Sequence, residues 1–238
     1  MKKVCVFVEG QTEQIFVREF LLKWYEYQNI TINCLKIMGD DTLPAEYDYP
    51  CSNASVLYQI VNVGNDNRVL SWLLKRVNGL KEEGFELIIG LRDMYSEFYR
   101  GKSKVVDCDL NNKIIASVNE HIVNELNDDS KMVSFHFAIM EIEIWMLAMQ
   151  QSLLKKFPML KIEDLCSIYE LNGDIERTIY HPAATLNEVY QLAGISYEKR
   201  KTDANSILSC MEKFDFEELL KSKLSPTFTN FVRTLLVI

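Results

Sequence analysis

The chain has 238 residues, 48% of them hydrophobic, which is enough for one sizeable core with or without a smaller appendage. Only 9 glycines and 5 prolines, with no low-complexity tract and no internal repeat, exclude a disordered or repeat protein. A net charge of −8 excludes a chain that coats nucleic acid through one broad basic surface, because such binding is dominated by phosphate neutralisation. The same charge suits an enzyme that holds phosphate through metal ions in an acidic site.

The six cysteines, Cys5, Cys34, Cys51, Cys108, Cys166 and Cys210, contain no C-x-x-C pair, which argues for reduced thiols and against a zinc site or disulfide framework. The apolar run behind the two N-terminal lysines covers only residues 4–8, too short for a signal-peptide core, and no stretch approaches a membrane span. A cytoplasmic location with no membrane association is therefore expected.

In chain order, residues 4–8 are continuously apolar and β-branched, which predicts a strand covered on both faces. Thr12 is the expected N-cap of a helix in which Ile15, Phe16, Phe20, Leu21 and Trp24 recur at three- and four-residue spacing, to about Gln28. A second strand is expected over 31–38, and residues 39–54, with GDD and two prolines, read as a long loop. Residues 56–63 are strand-like, Asn65 is a candidate cap for a helix over 68–78, and FELIIGL at 85–91 reads as a strand ending at Arg92 and Asp93. A helix over 110–126 and the strand VSFHFAI at 133–139 complete an alternation that predicts an α/β fold, a mostly parallel sheet flanked by helices on both faces. Helical spacing over 144–154, 162–170, 183–193, 204–211 and 227–236 predicts a helical C-terminal part packed on that core. The expected division is 1–140 and 141–238.

Ligands of open α/β sheets bind beyond the carboxyl ends of the strands. Glu9, Asp93, Glu141 and Glu143 all follow predicted strands, so a parallel sheet would gather them at one rim. Carboxylates held close repel one another, and a raised pKa or a bound cation relieves them. Hard oxygen ligands favour magnesium or manganese. Gly10 permits a tight turn after Glu9, and the helix N-terminus at Thr12 and Glu13 suits a phosphate oxygen; Glu13 also has a purely structural reading as an acid that favours the helix dipole. Arg92 and Arg100 are candidate phosphate contacts, as are Lys102, Lys104 and the run Lys199, Arg200, Lys201, although solvated surface charge explains such clusters equally well.

The opening VFVEGQTE resembles the first motif of Toprim domains, the fold of topoisomerases, DnaG-type primases and OLD-family nucleases, in which a strand-ending glutamate precedes a glycine. With EIEIW at 141–145 and SPTFTNFVRTL at 225–235, the chain is similar over nearly its whole length to a Toprim-like family of bacterial proteins often encoded beside ATPases in phage-defence operons. The resemblance implies that Glu9 is a general acid or base or a metal ligand, and that Asp93 is the first aspartate of a magnesium-binding D-x-D pair. The second position of that pair is Tyr95, so the motif is incomplete. Metal binding would then fall to Glu9 and Asp93 with Glu97, Glu141 or Glu143. If residues 141–143 open a helix, the two glutamates lie about 200° apart and one points inward, Glu141 being favoured. By the same resemblance Lys199, which follows a tyrosine in GISYEKRK, is a candidate to neutralise a transition-state phosphate; a surface lysine in a loop is the alternative.

Other motifs fail. GKS at 101–103 lacks the P-loop glycine, since that position is Ser96, and His121, His136 and His181 have no metal-ligand spacing. Ser225 and Pro226 read as N-cap and first residue of the last helix, and Trp145 reads as core. The leading functional reading is a magnesium- or manganese-dependent nuclease acting on DNA or RNA in phage defence, with a separate ATPase as partner, because the chain has no ATPase motif. A non-catalytic interaction subunit of the same fold is the alternative, and a phosphoryl-transfer enzyme acting on nucleotides is the third. Monomer and homo-oligomer both remain open.

Overall fold

The computed structural model describes residues 1–65 and 68–236. Six strands form one sheet in the order β3-β2-β4-β1-β5-β6, where β1 is Lys2–Val8, β2 Ile30–Met38, β3 Asp41–Pro44, β4 Val56–Asn62, β5 Leu87–Asp93 and β6 Val133–Ala138. All pairings are parallel except β2 with β3. The first half supplies the crossover helices: α1 (Gln11–Trp24), α2 (Val69–Glu82), α3 (Glu97–Lys102) and α4 (Cys108–Leu126). Seven short helices follow: α5 (Glu143–Ala148), α6 (Gln150–Lys156), α7 (Ile162–Cys166), α8 (Pro182–Leu192), α9 (Lys201–Leu208), α10 (Lys213–Lys221) and α11 (Pro226–Leu235).

The run in β1 is apolar throughout because both its faces are covered. Val4, Val6 and Val8 enter one core and Cys5 and Phe7 the other, as the two-residue strand period requires. The first core holds α1 together with α5 to α11, so the helices beyond residue 140 share one hydrophobic cluster with the sheet. The second holds α2 and α4, with Trp72, Leu73, Val77, Leu80 and Ile122 packed on the opposite face. Each fully buried Leu, Ile, Val or Phe stabilises the fold by about 1.5–3 kcal/mol relative to exposure. Gln14 is buried as well, and its amide Nε2 donates to the Leu35 and Ile60 carbonyls at 2.8 and 2.9 Å, tying α1 to β2 and β4.

Several local expectations change. Gly10, in extended backbone, is the N-cap of α1, which moves Thr12 into the first turn, and the helix stops at Trp24. The stretch 39–54 is partly ordered as strand: β3 folds back antiparallel on β2, and Tyr49 bridges to Ile32. The helix after β4 has Arg68 as N-cap and runs to Glu82; residues 66–67, beside the expected cap Asn65, lie outside the described residues. The segment 144–154 breaks at Met149 into α5 and α6. Two helices fall outside the expected set: α3, six residues long and capped by Ser96 through the Tyr99 amide at 3.3 Å, and α10.

The topology places a switch point at the carboxyl edge. The strands β1, β5 and β6 are neighbours, and α1 leaves β1 over one face while α4 leaves β5 over the other.

Candidate functional site

Glu9 follows β1, Asp93 ends β5 and Glu141 follows β6, and the shared carboxyl edge brings them together. The Asp93 amide donates to Glu9 Oε2 at 3.2 Å. Glu13 is the third residue of α1 and turns back into the same space. Its carboxylate takes a hydrogen bond from the Gly10 amide, in the manner of the acidic partner of a capping box. Glycine leaves room there for the carboxylate: a Cβ at position 10 would lie 3.0 Å from Glu13 Oε2, and the side chain would have to shift.

Glu141 and Glu143 meet on the far side. Glu141 precedes α5 and Glu143 begins it, and both carboxylates reach one ammonium: Lys199 Nζ is 2.8 Å from Glu141 Oε1 and 3.4 Å from Glu143 Oε1. The choice between the two glutamates is thereby corrected. Glu143 is the more buried, at 1% exposure of its side chain against 15% for Glu141. Two partners were invisible in the sequence: Tyr197 donates through its hydroxyl to Glu143 Oε1 at 2.9 Å, and the Ala183 amide on the first turn of α8 donates to Glu141 Oε2 at 3.1 Å. Lys199 is therefore part of the cluster and no ordinary surface lysine.

The electrostatics follow from this crowding. Burial first, then the charges of Glu13, Glu9, Glu143 and Glu141, hold the Asp93 carboxyl well above its ordinary pKa. Burial and the neighbouring Glu9 push Glu13 up to about 7. Burial also raises Glu143, opposed by Lys199 and reinforced by Glu141. Burial pulls the Lys199 ammonium down, but Glu143, Glu141 and Asp93 outweigh it and the net shift is upward. Glu141, Glu143 and Asp93 thus act on one lysine.

Three expected site residues stand elsewhere. Glu97 is exposed on the first turn of α3 and is not among the charges acting most on Asp93. Arg92 turns to the other face of the sheet, its guanidinium 5.6 Å from the Phe137 ring centroid. Arg100 stacks over Tyr95 at 5.5 Å, and Tyr95 in turn packs edge-on against Tyr180 and His181 at 5.7 and 5.6 Å. An aromatic cluster therefore stands where the second acid of a D-x-D pair would be. Thr12 lies half-buried on the first turn of α1.

Comparison with protein-family models, with curated proteins and with solved structures gave no match. Among the described residues no group of three or more His, Cys, Asp or Glu side chains stands ready-made for a metal ion. The donors nonetheless suit a hard divalent cation in kind. All are carboxylate oxygens, and Asp93 Oδ1 and Glu143 Oε2 are buried without a hydrogen-bond partner. No helix of the described residues is long and apolar enough to cross a membrane.

Proposed function

We propose that the protein is a divalent-cation-dependent hydrolase of nucleic-acid phosphodiesters, with its centre at Glu9, Glu13 and Asp93 and with Lys199 at its rim. The observation that carries this reading is the convergence of five mutually repelling carboxyls, two of them, Asp93 and Glu143, with an unpartnered buried oxygen, at the carboxyl edge of a parallel sheet. Magnesium or manganese, when bound, would polarise the scissile phosphate. Asp93 and Glu13 would hold it, and Glu9 is oriented by its bond from the Asp93 amide. Lys199 offsets the charge of Glu141 and Glu143, so that an anionic substrate meets less repulsion on that side. From the resemblance to Toprim-like proteins, the proposed setting is a cytoplasmic phage-defence system in which a separate ATPase controls the nuclease.

The test incubates purified protein, with and without its neighbouring ATPase, with DNA and tRNA in magnesium or manganese. Glu9→Gln and Asp93→Asn are each expected to lower cleavage by at least about 100-fold. Cleavage that persists in both variants rejects this site. A second reading, a non-catalytic interaction subunit, is favoured by Tyr95 in the D-x-D position and by the pairing of two acids with Lys199. Absence of cleavage in every condition, with no magnesium or manganese uptake by calorimetry, would establish that reading instead.

A further inference from the structure

Consecutive strand residues project to opposite faces. While Asp93 turns toward the carboxylates, Arg92 walls a cavity of about 420 Å³ on the other side, with Met94, Phe98, Lys113, Ile114 and Val118 among its lining. That volume is in the range of small-ligand sites, roughly 300–1,000 Å³. The floor is apolar and the rim is cationic. Phe98 is 59% exposed, and Lys102 Nζ lies 5.8 Å from its ring centroid. Arg92, Arg100, Lys102, Lys104 and Lys113 form no ion pair among the described residues. In a chain of net charge −8, residues 92–113 carry these five cations against the four acids Asp93, Glu97, Asp107 and Asp109, and Asp93 faces the other side of the sheet.

An exposed aromatic beside an apolar floor offers a stacking surface, and unpaired cations at the rim offer phosphate contacts. Proteins that bind single strands combine these two elements. A base within a duplex is stacked and paired, and would have to be extruded to enter. We propose that this cavity receives one unpaired base of a single-stranded nucleic acid, with Arg92 and Lys113 holding the flanking phosphates. Single strands are then the substrate class of the proposed nuclease. Their role as substrate rests on that reading, whereas the binding requires no cleavage.

The experiment measures fluorescence anisotropy of labelled DNA and RNA oligonucleotides, single-stranded and duplex, in chelator so that no strand is cut. The wild type is expected to prefer single strands by at least about tenfold. Phe98→Ala is expected to weaken that binding by about tenfold. Lys113→Glu is expected to weaken it similarly and to flatten its salt dependence. Because Phe98 is exposed, its truncation leaves the core intact, which a thermal melt verifies. Lys223→Glu, in a separate basic groove lined by Arg177, Lys221 and Arg233, serves as control. Equal affinity for duplex, or loss of binding with Lys223→Glu and none with Phe98→Ala, would overturn the proposal. Glu9-dependent cleavage with Phe98-independent binding would remove the cavity and leave the nuclease. Phe98-dependent binding without cleavage would support the cavity and remove the nuclease.

Discussion

Lys199 adopts a left-handed backbone, φ +54°, which costs a non-glycine residue roughly 1–2 kcal/mol. Its contacts with Glu141 and Glu143 offset that cost. Truncation would leave Glu143 buried with the Tyr197 hydroxyl and its own backbone amide as hydrogen-bond donors but no counter-charge. Lys199→Ala is expected to destabilise the fold by about 1–2 kcal/mol in denaturant titration at neutral pH, the lysine being half-exposed, and by less in mild acid, where a protonated Glu143 needs no counter-charge. Gly90 presents a steric constraint with no charge involved. It sits on β5 opposite Phe135 of β6, and a Cβ there would fall 2.4 Å from the phenyl ring and 3.1 Å from Leu73. Gly90→Ala is expected to cost about 1–3 kcal/mol, read as a lower denaturation midpoint with unchanged slope.

At the scale of elements, α11 depends on a carboxylate far away in sequence. Ser225 is its N-cap and Pro226 its first residue, as their types imply, yet the serine hydroxyl donates to Glu176 and does not cap the helix. Glu176 instead accepts the Thr227 amide at 3.1 Å and the Thr227 hydroxyl at 2.5 Å, and that hydroxyl accepts from Trp145 Nε1 at 2.9 Å. The buried acid thus links α11 to α5, where Trp145 stacks on Phe231 at 5.2 Å. Glu176→Ala would strand an amide and two hydroxyls in a dry setting. A loss of about 2–3 kcal/mol is expected, with hydrogen exchange of α11 accelerating ahead of β1 and β5.

At the scale of the molecule, four buried carboxyls, Glu13, Asp93, Glu143 and Glu176, have folded-state pKa values raised by burial, Glu13 and Glu176 to about 7. A raised carboxyl pKa means that the folded state keeps protons the unfolded chain has already released. Stability is then full below the ordinary carboxylate range and declines as pH rises through the folded-state value. The melting temperature is expected to fall between about pH 5 and about pH 8, and magnesium is expected to recover part of the loss in wild type but not in Asp93→Asn. A melting temperature that rises across that interval would contradict the burial of these acids.

The strand and helix alternation, the two-sided burial of β1 and the gathering of Glu9, Asp93 and Glu141 at one rim were all readable from residue order. Each depends on short-range periodicity and on the rule that parallel strands share a carboxyl edge. The direction of individual side chains was not readable. Arg92 and Asp93 are neighbours on the chain but serve opposite faces, Glu143 proved more buried than Glu141, and the six-residue α3 is too short for a period to register. Lys199, Tyr197 and the Ala183 amide reach the acids only because α8 and the segment after it fold back over that edge. Such contacts span more than forty residues, and local pattern carries no record of them; the packing of α8 on α5 and of α9 on α1 sets them.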